Sequence, residues 1–229
     1  AKVQARVLRD CAAFKDQYQP ALKELFLELL RREEEALGER AQLVRSVIGA
    51  DVTIPLTKLW LDEAAQKKAR ELLAGLGDGR RLIVAPGANW PGKIWPIEYF
   101  ATVIDELGAQ FDGVVVVGSK DDRALGDRLV DDQHLPMINL AGETSLLEVA
   151  ACMSGASAFL GNDSGLGHIA AAMGVPTVTV FGPGRPARYR PWGPRSEIVL
   201  APNEDLSELQ PALVAEVMTS HLAKPSRGV

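Results

Sequence analysis

The pattern of apolar and polar positions divides the chain into two kinds of sequence. In residues 1–50 the apolar side chains recur in steps of three and four. Val3, Val7, Cys11 and Phe14 share one helix face, and Leu22, Leu25, Phe26, Leu29 and Leu30 form a second stripe after Pro20. Proline fits the first turn of a helix, so Pro20 marks a start. The charged run Arg31-Arg32-Glu33-Glu34-Glu35 fits a solvated helix face. Gly49 and the segment Val52–Pro55 read as a connector. A further helix is expected from about Asp62 to Leu76, closed by Gly75, Gly77 and Gly79.

From residue 81 the period changes. Leu82–Ala85, Val114–Val117, Met137–Leu140, Ala158–Leu160, Val175–Phe181 and Glu197–Leu200 are short apolar runs that read as strands. A run such as Val114-Val115-Val116-Val117, apolar on both faces, belongs to a parallel sheet covered on both sides. Between the strands, Pro96–Leu107, Asp121–Val130, Ser145–Met153 and Leu166–Met173 have helical length and spacing, and Leu206–Leu222 reads as a closing helix. Strand and helix in alternation imply right-handed crossovers and an open parallel sheet. The expected fold class is α/β: a doubly wound, Rossmann-like parallel sheet over residues 53–229, preceded by a helical N-terminal region over residues 1–52. Neither an internal repeat nor a low-complexity segment is present.

Composition narrows the function. The 229 residues are 47% hydrophobic and 24% charged, an ordinary globular balance. Thirty acidic against 25 basic side chains give a net charge of −5. Nucleic-acid binding needs clustered Lys and Arg on phosphates, so such a partner is not expected. No apolar run approaches the ~20 residues of a membrane-spanning helix, and Ala1 opens no signal-peptide pattern. The two cysteines, Cys11 and Cys152, form neither a CxxC nor a Cys/His cluster, which fits a reduced, cytoplasmic setting with no metal site.

In a doubly wound sheet, ligands bind beyond the carboxyl ends of the strands. The strongest signal there is Gly161-Asn162-Asp163-Ser164-Gly165-Leu166-Gly167-His168, which follows an apolar strand and opens a helix. Asp163 or Ser164 can cap that helix, and its unpaired N–H groups and positive dipole end suit an anion. His168, one turn in, can face the same anion; the plainer alternative is a capped helix with a core histidine. Spacing for a Walker P-loop is absent, and the Gly-x-Gly pairs are too weak for a dinucleotide fingerprint. The loop Pro86-Gly87-Ala88-Asn89-Trp90-Pro91-Gly92-Lys93-Ile94-Trp95-Pro96 holds Lys93 at another strand end, where an ammonium can neutralise a diphosphate. Gly118-Ser119-Lys120-Asp121-Asp122 offers acids to ribose hydroxyls or merely an acidic helix start. Phe181-Gly182-Pro183-Gly184-Arg185-Pro186, with Pro191-Trp192-Gly193, reads as a stiff, non-regular loop.

Taken together these loops resemble the heptosyltransferase family of bacterial glycosyltransferases. The resemblance runs through Gly161–Pro176 into Val180-Phe181-Gly182-Pro183, and through Lys93-Ile94-Trp95-Pro96 with Tyr99-Phe100-Ala101; it covers about residues 53–215. It implies the C-terminal half of a GT-B architecture, which holds a nucleotide sugar, typically ADP-L-glycero-D-manno-heptose. The acceptor it implies is the inner core of lipopolysaccharide, or another glycolipid or glycan. Carried over by position, Lys93 pairs with the diphosphate and Asp163 contacts the donor sugar. Ser164, Gly165 and Leu166 present donors to the phosphates, and His168 lies against the same group. Gly118 and Asp122 bind the nucleoside, Asp122 at the ribose. Asn89, where relatives often carry a hydroxyl residue, is a further phosphate contact. The implied chemistry is inverting and metal-independent, with no cofactor beyond the donor, and a lipid acceptor implies a peripheral position at the inner membrane.

The family's N-terminal half, with its Gly-rich strand–loop–helix and acidic base, has no counterpart in residues 1–50. The chain is then either a donor-binding part of a longer protein or a divergent protein with a replaced acceptor side, and no catalytic base is identifiable. Two other readings stand beside the transferase. One is a non-catalytic nucleotide-binding module whose helical region docks on a partner or a second copy; the other is a GT-B transferase that uses a UDP-sugar.

Overall fold

The structure is a computed structural model and describes residues 57–131 and 134–224. The expected helical region of residues 1–52, with Cys11 and the Leu22–Leu30 stripe, lies outside the described residues. Thr57–Pro186 with Arg190–Val229 forms one unit, and it carries the whole sheet.

The unit runs α1 (Glu63–Leu73), β1 (Arg81–Ala85), α2 (Ile97–Leu107), β2 (Gly113–Val116), α3 (Arg123–Asp131) and β3 (Met137–Asn139). It continues with α4 (Leu146–Met153), β4 (Ala158–Asn162), α5 (Gly165–Ala172), β5 (Thr177–Phe181), β6 (Ser196–Leu200) and α6 (Pro211–Ala223). The six strands are parallel and ordered β3-β2-β1-β4-β5-β6. This is the Rossmann order. The chain leaves β1 toward β2 and β3, then crosses back to β4, so the loops after β1 and β4 part in opposite directions. Such a switch point at the carboxyl edge is where open α/β sheets bind ligands.

Alternation along the strands builds two cores. Leu82 and Val84 of β1, Val114 and Val116 of β2 and Leu160 of β4 face one side. There they meet Phe100, Val103, Ile104 and Leu107 of α2 and Val214 and Met218 of α6. Ile83, Val115 and Phe159 face the other side and meet Ala65, Ala69 and Leu73 of α1 and Val149, Cys152 and Met153 of α4. Burial on both faces is why these strands read as unbroken apolar runs. The outer strands are less covered: β3 has three residues, all half-buried, and exposes little edge to pair wrongly.

Several boundaries differ from expectation. The helix expected over Leu206–Leu222 is instead a turn of 3-10 helix, Leu206–Glu208, followed by α6 from Pro211. Leu206 and Leu209 are buried in that turn at nearly helical spacing, which made the two elements read as one. A helical turn at Pro186–Tyr189 interrupts the loop expected to be non-regular. Strand β4 extends to Asn162, two residues into the Gly-rich signature, and β5 starts only at Thr177. Among the described residues, no helix is long and apolar enough to cross a membrane.

Candidate functional site

The carboxyl ends of β2, β1, β4 and β5 bring the candidate residues into one rim in that order. Beyond β2, Asp122 is half-buried and accepts from the backbone N–H and the hydroxyl of Ser119, each at 2.7 Å. These bonds close a capping box at the start of the turn leading into α3. Asp122 also occupies the space beside Gly87 and Gly118: a Cβ on Gly87 would fall 1.9 Å from its Oδ1, and one on Gly118 2.8 Å from its Cβ. The rim is closely packed there because two glycines leave room for one carboxylate.

Next comes the loop after β1. Lys93 ends a 3-10 turn, Pro91–Lys93, held by Lys93 N–H to Trp90 O (2.9 Å) and Ile94 N–H to Pro91 O (3.1 Å). Trp95 anchors the far end of the loop in the core. Its indole donates to Leu209 O at 3.0 Å, and its rings meet Tyr99 and Phe100 edge-on at 5.7 and 5.0 Å. Trp90, by contrast, is half exposed and lies over Gly92, and Asn89 is exposed on the same loop.

The ammonium of Lys93 meets Asp163 Oδ2 at 2.5 Å across the switch point, 70 residues away in sequence. The pair is partly withdrawn from water, with 22% of the Lys93 side chain and 8% of Asp163 exposed. Two charges so placed have lost hydration that only good partners restore. Asp163 directly precedes Ser164, which is the N-cap of α5 but makes no side-chain capping bond. The Ser164 hydroxyl is buried and has no hydrogen-bond partner. The N-terminal N–H groups of α5 thus begin beside a cation with no side-chain cap of their own. Gly165 has open space where a Cβ would stand, Leu166 packs toward the second core, and His168 is half-buried one turn in. From the next strand, Gly184 closes the rim, since a Cβ there would lie 2.9 Å from Asp163 Oδ2.

Of the candidate residues, the structure therefore brings Lys93, Asp163, Ser164 and Gly165 to one place. Asp122 and Gly118 lie further along the rim, joined through Gly87. Two further residues that touch the Lys93–Asp163 loops were given no role from sequence. Gly184 is one. Asn162 is the other: it is fully buried, accepts from Trp95 N–H at 3.1 Å and donates to Pro86 O at 2.7 Å. Asn162 sits inside the quoted signature, but its partners are remote in sequence, so no local pattern exposes them. An open groove of about 600 Å³, lined in part by Leu61, Arg70, Leu73, Asp78 and Arg81, lies at the amino end of β1. That is the opposite edge from these loops, so it is separate from the site. Among the described residues, no three His, Cys, Asp or Glu side chains gather as metal ligands.

The chain is similar to known proteins in sequence and in fold. The lipooligosaccharide heptosyltransferase 2 of Haemophilus influenzae is 33% identical over 168 residues, which cover 68% of this chain and 48% of that protein. Lipopolysaccharide heptosyltransferase 2 of Salmonella typhimurium is 30% identical over 164 residues, 68% and 47% respectively. The chain spans about half the length of the curated relatives it matches. Among solved structures, the ADP-heptose lipopolysaccharide heptosyltransferase II of Escherichia coli superposes with a TM-score of 0.66 at 26% identity, covering 76% of this chain and 56% of that one. A glycosyl transferase family 9 protein of Veillonella parvula shares the fold, with a TM-score of 0.72 at 23% identity and coverage of 79% and 58%. The profile "Glycosyltransferase family 9 (heptosyltransferase)" matches residues 27–215. That match spans well over half of the chain, and the chain belongs to glycosyltransferase family 9.

Proposed function

We propose that this chain binds the donor of a heptosyl transfer, a nucleotide sugar of the ADP-heptose type, in the crevice between the loops after β1 and β4. The transferase it serves passes heptose to an acceptor of the lipopolysaccharide-core type in the cytoplasm. The donor-binding domain is taken as residues 53–229. One observation carries the reading: the Lys93–Asp163 pair stands beside Ser164, whose buried hydroxyl has no hydrogen-bond partner and makes no capping bond to α5. Relatives named for heptosyl transfer, one of them for ADP-heptose, supply the chemistry.

In this reading Lys93 exchanges Asp163 for the diphosphate. The freed carboxylate turns to the sugar hydroxyls, while Ser164 and the first N–H groups of α5 receive phosphate oxygens. The anomeric carbon–oxygen bond then breaks as an acceptor hydroxyl attacks from the opposite face, with inversion, and the hydroxyl proton is released to solvent. The leaving diphosphate gains charge, and Lys93 and the helix N-terminus stabilise it where it develops. These two groups supply the positive charge, so no divalent ion is needed. Asp122 and Gly118 line the side where the nucleoside extends, and Asn89 and His168 flank the phosphates.

Calorimetric titration with ADP and ADP-heptose tests this. The chain is expected to bind ADP below millimolar concentration, and Lys93→Ala to weaken it ~10–100-fold, the range for hydrogen bonds to a charged group. Asp163→Ala is expected to weaken ADP-heptose more than ADP. Absence of binding at millimolar ligand, or no loss in either variant, overturns the reading. Competition by UDP decides the base.

A further inference from the structure

We propose that Asn162 is the positioning residue for Lys93: its buried amide clamps both ends of the ten-residue loop Pro86–Trp95 and so fixes where the ammonium stands. The inference rests on the reading of Lys93 as the diphosphate-binding cation. Asn162 closes β4 and is fully buried. Its Nδ2 donates to the carbonyl of Pro86, the first residue of the loop, at 2.7 Å, with a longer approach to Gly87 O at 3.5 Å. Its Oδ1 accepts from the N–H of Trp95, the last residue, at 3.1 Å. A backbone N–H can only donate and a carbonyl can only accept, so the orientation of the amide is unambiguous.

The chemistry of the position admits few substitutes. A carboxylate can accept from Trp95 but sets a second acceptor against Pro86 O. An apolar side chain leaves both backbone groups buried without partners. Within the loop the remaining backbone bonds near Lys93, from its own N–H and that of Ile94, reach back only three residues and shape the turn without tying its backbone to the sheet. Asn162 ties it, and it does so from the residue next to Asp163. One strand end thereby places both partners of the ion pair: Asp163 directly and Lys93 through the clamp.

Asn162→Ala and Asn162→Asp, each alone and with Lys93→Ala, separate this role from plain stability. Amide hydrogen exchange is followed at Lys93 and Ile94, whose own bonds do not involve Asn162, and at β2 as a core reference. Asn162→Ala is expected to lower protection at Lys93 and Ile94 about tenfold more than at β2. It is also expected to weaken ADP about tenfold in the native background and less than ~2-fold in the Lys93→Ala background. Equal loss of protection in loop and core, or the same loss of affinity in both backgrounds, overturns the proposal. If Asn162→Ala does not fold, Asn162→Asp gives the answer. Its carboxylate accepts from Trp95 N–H but sets a second acceptor against Pro86 O, so protection at Lys93 and Ile94 should again fall about tenfold more than at β2. Equal loss in loop and core in that variant counts against the clamp. Failure of the native chain to bind ADP would instead overturn the donor reading, while the exchange result still judges the clamp.

Discussion

Helices α4 and α5 begin at the same edge of the sheet, each eight residues long and each preceded by a serine. Their starts are chemically opposite. At α4, Ser145 Oγ accepts from Glu148 N–H at 3.3 Å and Glu148 Oε2 accepts from Ser145 N–H at 2.6 Å, a closed capping box. At α5 the third position is Gly167 rather than an acid, and the hydroxyl of Ser164 is buried without a partner. The capping serine of α4 is satisfied within its own first turn, whereas that of α5 is unspent next to the Lys93–Asp163 pair, the contrast expected if α5 receives an anion as proposed.

The most direct way to break this contrast is to delete each serine hydroxyl. Ser164→Ala is expected to weaken ADP ~10-fold, the low end for a hydrogen bond to a charged group, because its hydroxyl no longer donates to a phosphate oxygen. Its thermal stability should be unchanged or slightly raised, since a buried polar group without a partner disappears. Ser145→Ala should do the reverse: about 1 kcal/mol of stability lost, or ~2–4 °C in melting temperature, with ADP affinity intact. Equal melting temperatures for the two variants, or equal affinities, would erase the distinction between scaffold and site.

A third helix start lies between these extremes and sharpens the comparison. The Ser119–Asp122 box is closed like that of α4, yet Asp122 is also the acid proposed at the ribose. A methyl group at Gly87 must expel the Asp122 carboxylate, because it would stand 1.9 Å from Oδ1. Gly87→Ala is expected to cost about 1 kcal/mol through the lost cap. Measured beside Ser119→Ala, it shows what else the carboxylate does. Equal melting temperatures with a further loss of ADP affinity only in Gly87→Ala place Asp122 at the nucleoside; equal affinities leave it as a cap alone.

The fold was legible because its signals are local. Strands β1, β2, β4 and β5 are buried on both faces, so their sequences are mostly apolar, with Asn162, Thr177 and Thr179 as buried polar exceptions, and the intervening helices keep their own period. Element ends were less legible. Leu206 and Leu209 pack at helical spacing although the helix begins only at Pro211, a proline in the first helical turn that marks the true start. At the site, Lys93, Asp163 and Ser164 were readable as motif residues on strand ends. That Lys93 and Asp163 form one ion pair was not, because parallel crossovers separate them by 70 residues and only strand order brings them together. Asn162 was harder still. A buried amide that binds two loop ends resembles any turn-forming asparagine until the loop is folded over it.

The smallest expected effect concerns the acid that closes α4. The backbone N–H of Ser145, then its side chain, and then nearby Lys68 hold the carboxyl of Glu148 below its ordinary pKa. A depressed folded-state pKa means that the unfolded chain binds the proton first as the pH falls. The stabilisation is therefore present above the unfolded value, near 4.3, and is lost as the pH drops through the lower folded value. In Glu148→Gln the amide can still accept from Ser145 N–H but does not titrate. The stability difference between native protein and variant, from urea melts, should be constant from pH 7 to 5 and shrink toward pH 3, with other carboxylates cancelling in the subtraction. A difference that stays flat to pH 3 means the charge of Glu148 adds nothing to the cap. The closed start of α4 would then be a matter of shape alone, and the contrast with α5 would rest entirely on the unpaired hydroxyl of Ser164.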